Sequence, residues 1–366
     1  MGKIIHPSVH INPNYVEVIR SNAASAEELG MLNEEQLSIV YNEKWFRLLV
    51  PEIYNGLQIT LPELVRLQEA ISWTDGSTGW VVTLCSGAGW FGGFIDRWTA
   101  VEIFSTKNVC LAGSGAASGT AEKTDVGYLL NGTWNYASGA HHATHFTANC
   151  KILQNKQPVL DADGEPLILP FVIDRKDVTL LPTWKYMGMV ATGSHSFELK
   201  DVLVPENRCF KIDAKHAKVE GELYQYPFIQ LAEATLAVNL SGMAVHFIDL
   251  CNDIFEEKQK QPKLNAEQKA LLWQVLEEQT QLLNEARTGL FAAVDASWAD
   301  TTTDTLMQVS ITSRGLAKTA RVAVDTLYPY CGLQAASPDT EINRVWRDLH
   351  TAGQHSLLTF LEVADN

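Results

Sequence analysis

From residue 108 to 205 the chain is written in strand chemistry. Short β-branched or aromatic runs at 127–130, 167–173 and 196–199 are broken by Gly, Asn-Gly, Asp-Gly and Pro-Thr turns. The segments on either side read as helices, so the order is helices, strands, helices, with no βαβ alternation anywhere. That order excludes a doubly wound parallel sheet. It leaves an α+β chain in three regions: helical at 1–107, a β-region at 108–212 and a helical bundle at 213–366. With 46% apolar residues among 366, the chain is long enough to bury a large core without metal or disulfide staples.

Local punctuation places the helices. A helix is expected from Ser25, with Glu27 and Glu28 in its first turn. Leu29, Leu32, Gln36, Ile39, Glu43 and Phe46 form its stripe, and Pro51 stops it. Thr60 with Pro62 starts another. After a polar linker at 213–222, four long helical segments suggest a bundle. Asn265 with Gln268 resembles a capping box, Thr302 and Thr303 cap a third helix ending near Cys331-Gly332, and Ser337-Pro338 opens the fourth.

Charge narrows the function classes. Against 43 Asp and Glu stand 28 Lys and Arg, a net charge of −15, with no basic run or aromatic-basic patch. Such a chain repels polyanions, so nucleic acid and anionic membrane surfaces are excluded as partners. The first twenty residues lack the apolar core of a signal peptide, and no later window reads as a membrane span, so a cytoplasmic location is expected. Met1-Gly2 fails as a lipidation start because His6 stands where Ser or Thr is needed. The six cysteines, spread singly, read as buried thiols.

Gly87-Ala88-Gly89-Trp90-Phe91-Gly92 fits GxGxxG, but helix rather than a parallel strand precedes it. The acid expected about 20 residues on is absent, so it is not a dinucleotide loop. The glycine-rich stretch 113–119 reads either as a turn between strands or as a cofactor contact. His141, His142 and His145 resemble metal ligands by type alone. No HExxH and no convergent carboxylate accompany them, and strand alternation would point His141 and His142 to opposite faces, so no metal site is expected. No GxSxG elbow is present.

Four ordered blocks carry a resemblance. Asn131-Gly132-Thr133-Trp134-Asn135-Tyr136-Ala137-Ser138-Gly139 looks like a barrel strand of the acyl-CoA dehydrogenases, and more closely of the flavin-dependent monooxygenases that share their fold. The run from Trp184 through Gly188, Thr192 and Ser194 to Asp201 and Pro205 resembles the superfamily's "W…GM..TGS…DV.VP" segment. Gly76-Ser77-Thr78-Gly79-Trp80 and Trp346-Arg347-Asp348-Leu349-His350, leading to His355, agree. The resemblance implies N-terminal helices, a central β-barrel and a C-terminal four-helix bundle, assembled as homodimers or homotetramers. It also implies FAD or FMN, with Ser138 beside flavin N5 and Tyr136, Gly139, Thr192 and Ser194 around the cofactor.

Departures from the pattern refine this. Cys110-Leu111-Ala112-Gly113 stands where dehydrogenases carry Thr-Glu, and the last helical region offers Arg347, Asp348, His350 and His355 rather than a glutamate base. The Arg-Asp-histidine pattern resembles hydroxylating members, in which the histidine matching His355 is the base at the substrate; imidazole titrates in the range that task needs. Trp90, His142 and Arg347 are the candidate substrate contacts. Ala88 stands where monooxygenases generally place a histidine, and Tyr328-Pro329-Tyr330-Cys331-Gly332 replaces the dehydrogenases' adenine-binding motif. The expectation is a flavin-dependent hydroxylase of a small aromatic or polyketide-like molecule, served by a separate flavin reductase. The alternatives are an acyl-CoA dehydrogenase-like enzyme served by an electron-transfer flavoprotein, and a fold relative without catalysis.

Overall fold

The structure, a computed structural model, describes residues 4–359; Met1 and Gly2 lie outside them. Helices come first: α1 (Pro13–Leu29), α2 (Glu34–Asn42), α3 (Leu61–Thr74), α4 (Gly76–Trp90) and α5 (Arg97–Ser105). The single helix expected from Ser25 to Phe46 is instead the end of α1 and all of α2. Gly30, at φ +70°, returns its N–H to the Ala26 and Glu27 carbonyls in the left-handed conformation that ends helices. Asn33 and Gln36 then cap each other's backbone N–H groups and start α2. Thr60 behaves as read, forming a reciprocal cap with Glu63 at the head of α3. At the corner between α3 and α4, the Asp75 carboxylate accepts from Thr78 N–H at 2.8 Å. The GxGxxG stretch forms the end of α4 and the turn after it, so no phosphate cradle exists there.

The middle region is a seven-stranded sheet: β1 (Leu111–Thr124), β2 (Gly127–Ala137), β3 (His145–Gln154), β4 (Gln157–Pro158), β5 (Ile168–Asp174), β6 (Thr179–Leu181) and β7 (His195–Val204). The order is β4-β3-β1-β2-β7-β6, with β5 also on β3. Only the β1/β3 pair is parallel. The expected barrel therefore takes the form of a sheet folded round its own core of Trp134, Phe146, Phe171 and Phe197, with no ladder joining β5 to β6 among the described residues. Stretch 113–119, expected as a turn or cofactor loop, lies inside β1, where the register with β3 slips between Ser114 and Gly119. The Trp134 indole occupies the space a side chain at 119 would need.

The third region holds α6 (Phe228–Gln259), α7 (Ala266–Ala299), α8 (Thr303–Leu327), α9 (Glu341–Ala352) and the single turn α10 (Ser356–Thr359). Asn265/Gln268 and Thr302/Thr305 form capping boxes at α7 and α8. α9 begins three residues after Ser337-Pro338, at Thr340-Glu341, because a 3-10 turn at Leu333–Ala336 and a bend precede it. With 12 residues, α9 is much shorter than the other three helices of the expected bundle, and α3 packs along α6 as extensively as α8 does. By length and composition α6 is apolar enough to cross a membrane, contrary to expectation; its most apolar 18-residue window, of mean hydropathy 1.4, is 89% buried by its neighbours. Among the ion pairs that cross this packing, one is buried on both sides. Arg287 on α7 holds both oxygens of Glu69 on α3 at 2.8 Å, with each side chain 2% exposed. Five of the cysteines are buried and all are free, yet Cys251 and Cys331, isolated in sequence, bring their sulfurs to 3.4 Å.

Candidate active site

Where β2 ends, Tyr136 (φ +65°) and Gly139 (φ +75°) turn the chain so that Ser138 is 5% exposed between the sheet and α4. Gly139 donates to the Thr192 carbonyl at 2.8 Å, and a Cβ on it would come within 2.6 Å of Cys85 Sγ, so this turn admits only glycine. From α4, the buried Trp80 donates its indole N–H to Ser138 Oγ at 3.2 Å. Ser138 Oγ lies 2.8 Å from Ser194 Oγ, Ser194 Oγ lies 2.6 Å from Thr192 Oγ1, and Thr192 Oγ1 donates to the Met189 carbonyl at 2.6 Å. Three of the expected cofactor residues thus form one buried hydroxyl chain.

The chain is anchored on α9. Met189, itself left-handed at φ +54°, donates its N–H to Asp348 Oδ1 at 2.5 Å, while its carbonyl also accepts from the Trp184 indole at 2.8 Å. Gly188 lies so close to α9 that a Cβ would overlap the Arg347 carbonyl. Burial, reinforced by the neighbouring Asp75 charge, raises the Asp348 carboxyl to about 7. Arg347, expected at the substrate, is committed to the same joint: it pairs with Glu27 on α1 and donates to the Met187 carbonyl at 2.6 Å and to Asn343 Oδ1 at 2.7 Å. His350 is likewise engaged, with Asp325 at 2.9 Å.

His355 follows the end of α9, which stops at Ala352, so Asp348 and His355 do not share an unbroken helix. Its ring centroid lies 6.1 Å from that of Trp80. Burial pushes the imidazole below its ordinary 6.5, leaving it neutral at pH 7. Among the described residues its ring makes one hydrogen bond, from Leu357 N–H to Nδ1, which is long at 3.4 Å and leaves Nε2 uncommitted.

His141 and His142 sit in the turn after Ser138 rather than on a strand, so strand alternation does not govern them. His141 meets His195 edge to face at 5.0 Å. His142 Nε2 is buried without a partner among the described residues, and burial lowers this imidazole to about 4, a neutral ring offering one unused polar atom. His145 is apart from them, 3.5 Å from Asp174. No group of three metal-ligating side chains occurs among the described residues. Tyr136 is 61% exposed and forms an aromatic cluster with Trp184 and Tyr186. Trp90 is a correction: 2% exposed, it packs among Phe94, Tyr224 and Phe228 and donates to the Leu223 carbonyl at 2.9 Å, so it fills the core instead of lining a substrate cleft. Two residues given no role from sequence are central. Trp80 joins Ser138 to His355, and Asp348 holds the Met189 turn; their only signal was membership of the recognised blocks.

Residues 234–360 match the family model "Acyl-CoA dehydrogenase, C-terminal domain". The chain is similar to the flavin-dependent monooxygenase oxygenase subunit HsaA of Mycobacterium tuberculosis, with 26% identity over 94% of this chain and 89% of that protein. It is 31% identical to the pigment production hydroxylase of a Rhodococcus species over 65% of this chain and 63% of the relative. Among solved structures it superposes on XiaF from Streptomyces, determined with FADH2 and glycerol, at a TM-score of 0.84 and 22% identity, covering 94% of this chain and 89% of that one.

Proposed function

From the premise that this chain belongs to the acyl-CoA dehydrogenase superfamily, nearest its flavin-dependent monooxygenase branch, we propose that it is the oxygenase component of a two-component flavin hydroxylase. Its substrate class is a small aromatic or polyketide-like molecule bearing an acidic hydroxyl. The observation that carries the reading is the Trp80 bridge, with Ser138 hydrogen-bonded at its indole nitrogen and His355 packed against its ring.

The residues present suit a flavin. Ser138 and the orphaned His142 Nε2 are buried polar atoms with capacity to spare in a turn held by Gly139, and exposed aromatic rings stand alongside at Tyr136 and Tyr186. Ser138, Gly139, Thr192 and Ser194 would hold FAD or FMN, with Ser138 at N5. Reduced flavin, when bound, supplies the two electrons that let dioxygen place one atom in the substrate and release the other as water.

The chain's own groups do the rest. Arg347, Asp348 and His350 are each committed to protein partners, which leaves His355 as the base able to take a hydroxyl proton from the substrate. Burial of His355 keeps that base neutral at pH 7. A hydroxyl proton moved to Nε2 enriches the ring it leaves, which is the electronic change that attack by an electrophilic oxygen requires. The words "oxygenase subunit" in the name of the HsaA relative support a separate flavin reductase as partner, and a cytoplasmic location is part of the proposal. Self-assembly as a dimer or tetramer completes the proposal.

The test supplies the protein with FAD or FMN, a flavin reductase and a panel of phenols under isotopically labelled dioxygen. One labelled oxygen atom in the product is the expected result. Desaturation of an acyl-CoA thioester without oxygen incorporation would replace the hydroxylase reading with the dehydrogenase one.

A further inference from the structure

The hydroxyl chain behind Ser138 has a direction, and the direction follows from which of its ends can only donate and which can only accept. At one end the Trp80 indole has a proton and no lone pair to offer, so Ser138 Oγ accepts from it at 3.2 Å. At the other end the Met189 carbonyl has no proton, so Thr192 donates to it at 2.6 Å. With its only hydroxyl proton spent there, Thr192 must accept from Ser194, 2.6 Å away. Ser194, its proton spent on Thr192, must accept from Ser138 at 2.8 Å. Any reversal would set two lone pairs against each other at one of these short separations. The hydroxyl proton of Ser138 therefore points inward, toward Ser194, and the group it leaves free is a lone pair.

We propose that Thr192 and Ser194 are positioning residues which, by drawing the Ser138 proton inward, make Ser138 a hydrogen-bond acceptor toward its ligand and so select the reduced over the oxidised cofactor. This rests on the reading of Ser138 as the flavin N5 contact. Oxidised flavin carries a lone pair at N5, which meets the Ser138 lone pair unfavourably. Reduced flavin carries N5–H, a donor that the Ser138 lone pair accepts. A lone serine could rotate to serve either form; this one is held by three other residues. The selection is useful to an oxygenase that receives reduced flavin from elsewhere and must release the oxidised product.

Thr192→Val tests this with both serines left in place. Valine keeps the shape of threonine and deletes the only proton acceptor beyond Ser194, so Ser194 is free to donate to Ser138 and the Ser138 proton is freed to face the ligand. Dissociation constants for oxidised and for anaerobically reduced FAD and FMN are measured on wild type, Thr192→Val and Thr192→Ser. Wild type is expected to bind the reduced form at least tenfold more tightly. Thr192→Val should cut that ratio about tenfold, lowering the two-electron potential of bound flavin by about 30 mV, and Thr192→Ser should restore it. If Thr192→Val does not fold, Ser194→Ala removes the acceptor of the Ser138 proton and should move the ratio the same way. Flavin binding with a ratio unmoved by these variants, or a wild type preferring oxidised flavin, overturns the directional chain and leaves the hydroxylase reading standing. Failure of wild type to bind either flavin in either state overturns both.

Discussion

Replacing Asp348 by Asn should make the protein's stability less dependent on pH, and the size of the effect follows from the burial of that carboxyl. Asp348 is fully enclosed and accepts from Met189 N–H. Burial chiefly, then the charges of Asp75 and Glu27, raise its pKa from an ordinary 3.8 to about 7, against the opposing pull of the Met189 N–H and Arg344. Because the folded form holds this proton more tightly than the unfolded chain, the contribution is fully present below about pH 4. It is lost as pH rises through about 7. Between pH 5 and 8 the loss is about 2.5 kcal/mol. Asn cannot titrate, keeps a carbonyl for Met189 N–H, and fills the same volume. For a chain of this length the unfolding entropy is roughly 0.8 kcal/mol/K, so Tm of Asp348→Asn minus Tm of wild type should grow by about 3 °C from pH 5 to pH 8. Calorimetric scans of both proteins across that range measure it. A difference that stays constant would mean that Asp348 ionises at an ordinary pH, and the account of the α9 joint as an enclosed, partly protonated carboxyl would be wrong.

His355→Ala should abolish hydroxylation while changing flavin affinity less than about threefold, and the acid limb of kcat in wild type should have its midpoint below 6.5, since burial lowers the imidazole and protonation removes the base; a limb centred above 6.5 points to another group. Arg287→Met leaves Glu69 charged in the core and should cost about 3–5 kcal/mol, whereas adding Glu69→Leu should recover most of that; denaturant titrations of the single and double variants decide, and equal losses in both would mean the pair itself stabilises. Gly188→Ala forces a Cβ into the Arg347 carbonyl and should lower stability by about 1–3 kcal/mol, read as a fall in Tm together with weaker flavin binding; an unchanged Tm would show that α9 and the Met189 turn are not pressed together as described.

What the amino-acid sequence disclosed was mostly local. Thr60 with Glu63, Asn265 with Gln268 and the turn-rich strand region could be read because their signals lie within a few residues of the structures they specify. The break between α1 and α2 was hidden because Gly30 interrupts an otherwise continuous apolar pattern, and the cap that restarts the helix depends on side-chain geometry at Asn33. At the site, Ser138, Thr192 and Ser194 were named through the resemblance. Their linkage into one directed chain was not legible, because it needs Trp80, 58 residues upstream of Ser138, and the Met189 carbonyl as its terminus. Trp90 and Arg347 were misjudged for one reason: residue type shows what a side chain is able to bind, but not that Leu223, Glu27 and Met187 already occupy it.

The burial of α6 also sets a timetable for synthesis. When residues 228–259 leave the ribosome, α3 already exists to cover one face, but the last residue of α8 follows Gln259 by 68 positions. At about 5–20 residues per second that is roughly 3 to 14 s during which a segment as apolar as a membrane anchor has half its covering unmade. A nascent chain of this protein is therefore a client for whatever shields apolar helices as they emerge. Stalling or truncation within α7 or α8 should yield aggregated or membrane-adsorbed fragments, whereas a break beyond Leu327 removes only the smaller part of the α6 covering that α9 and α10 supply.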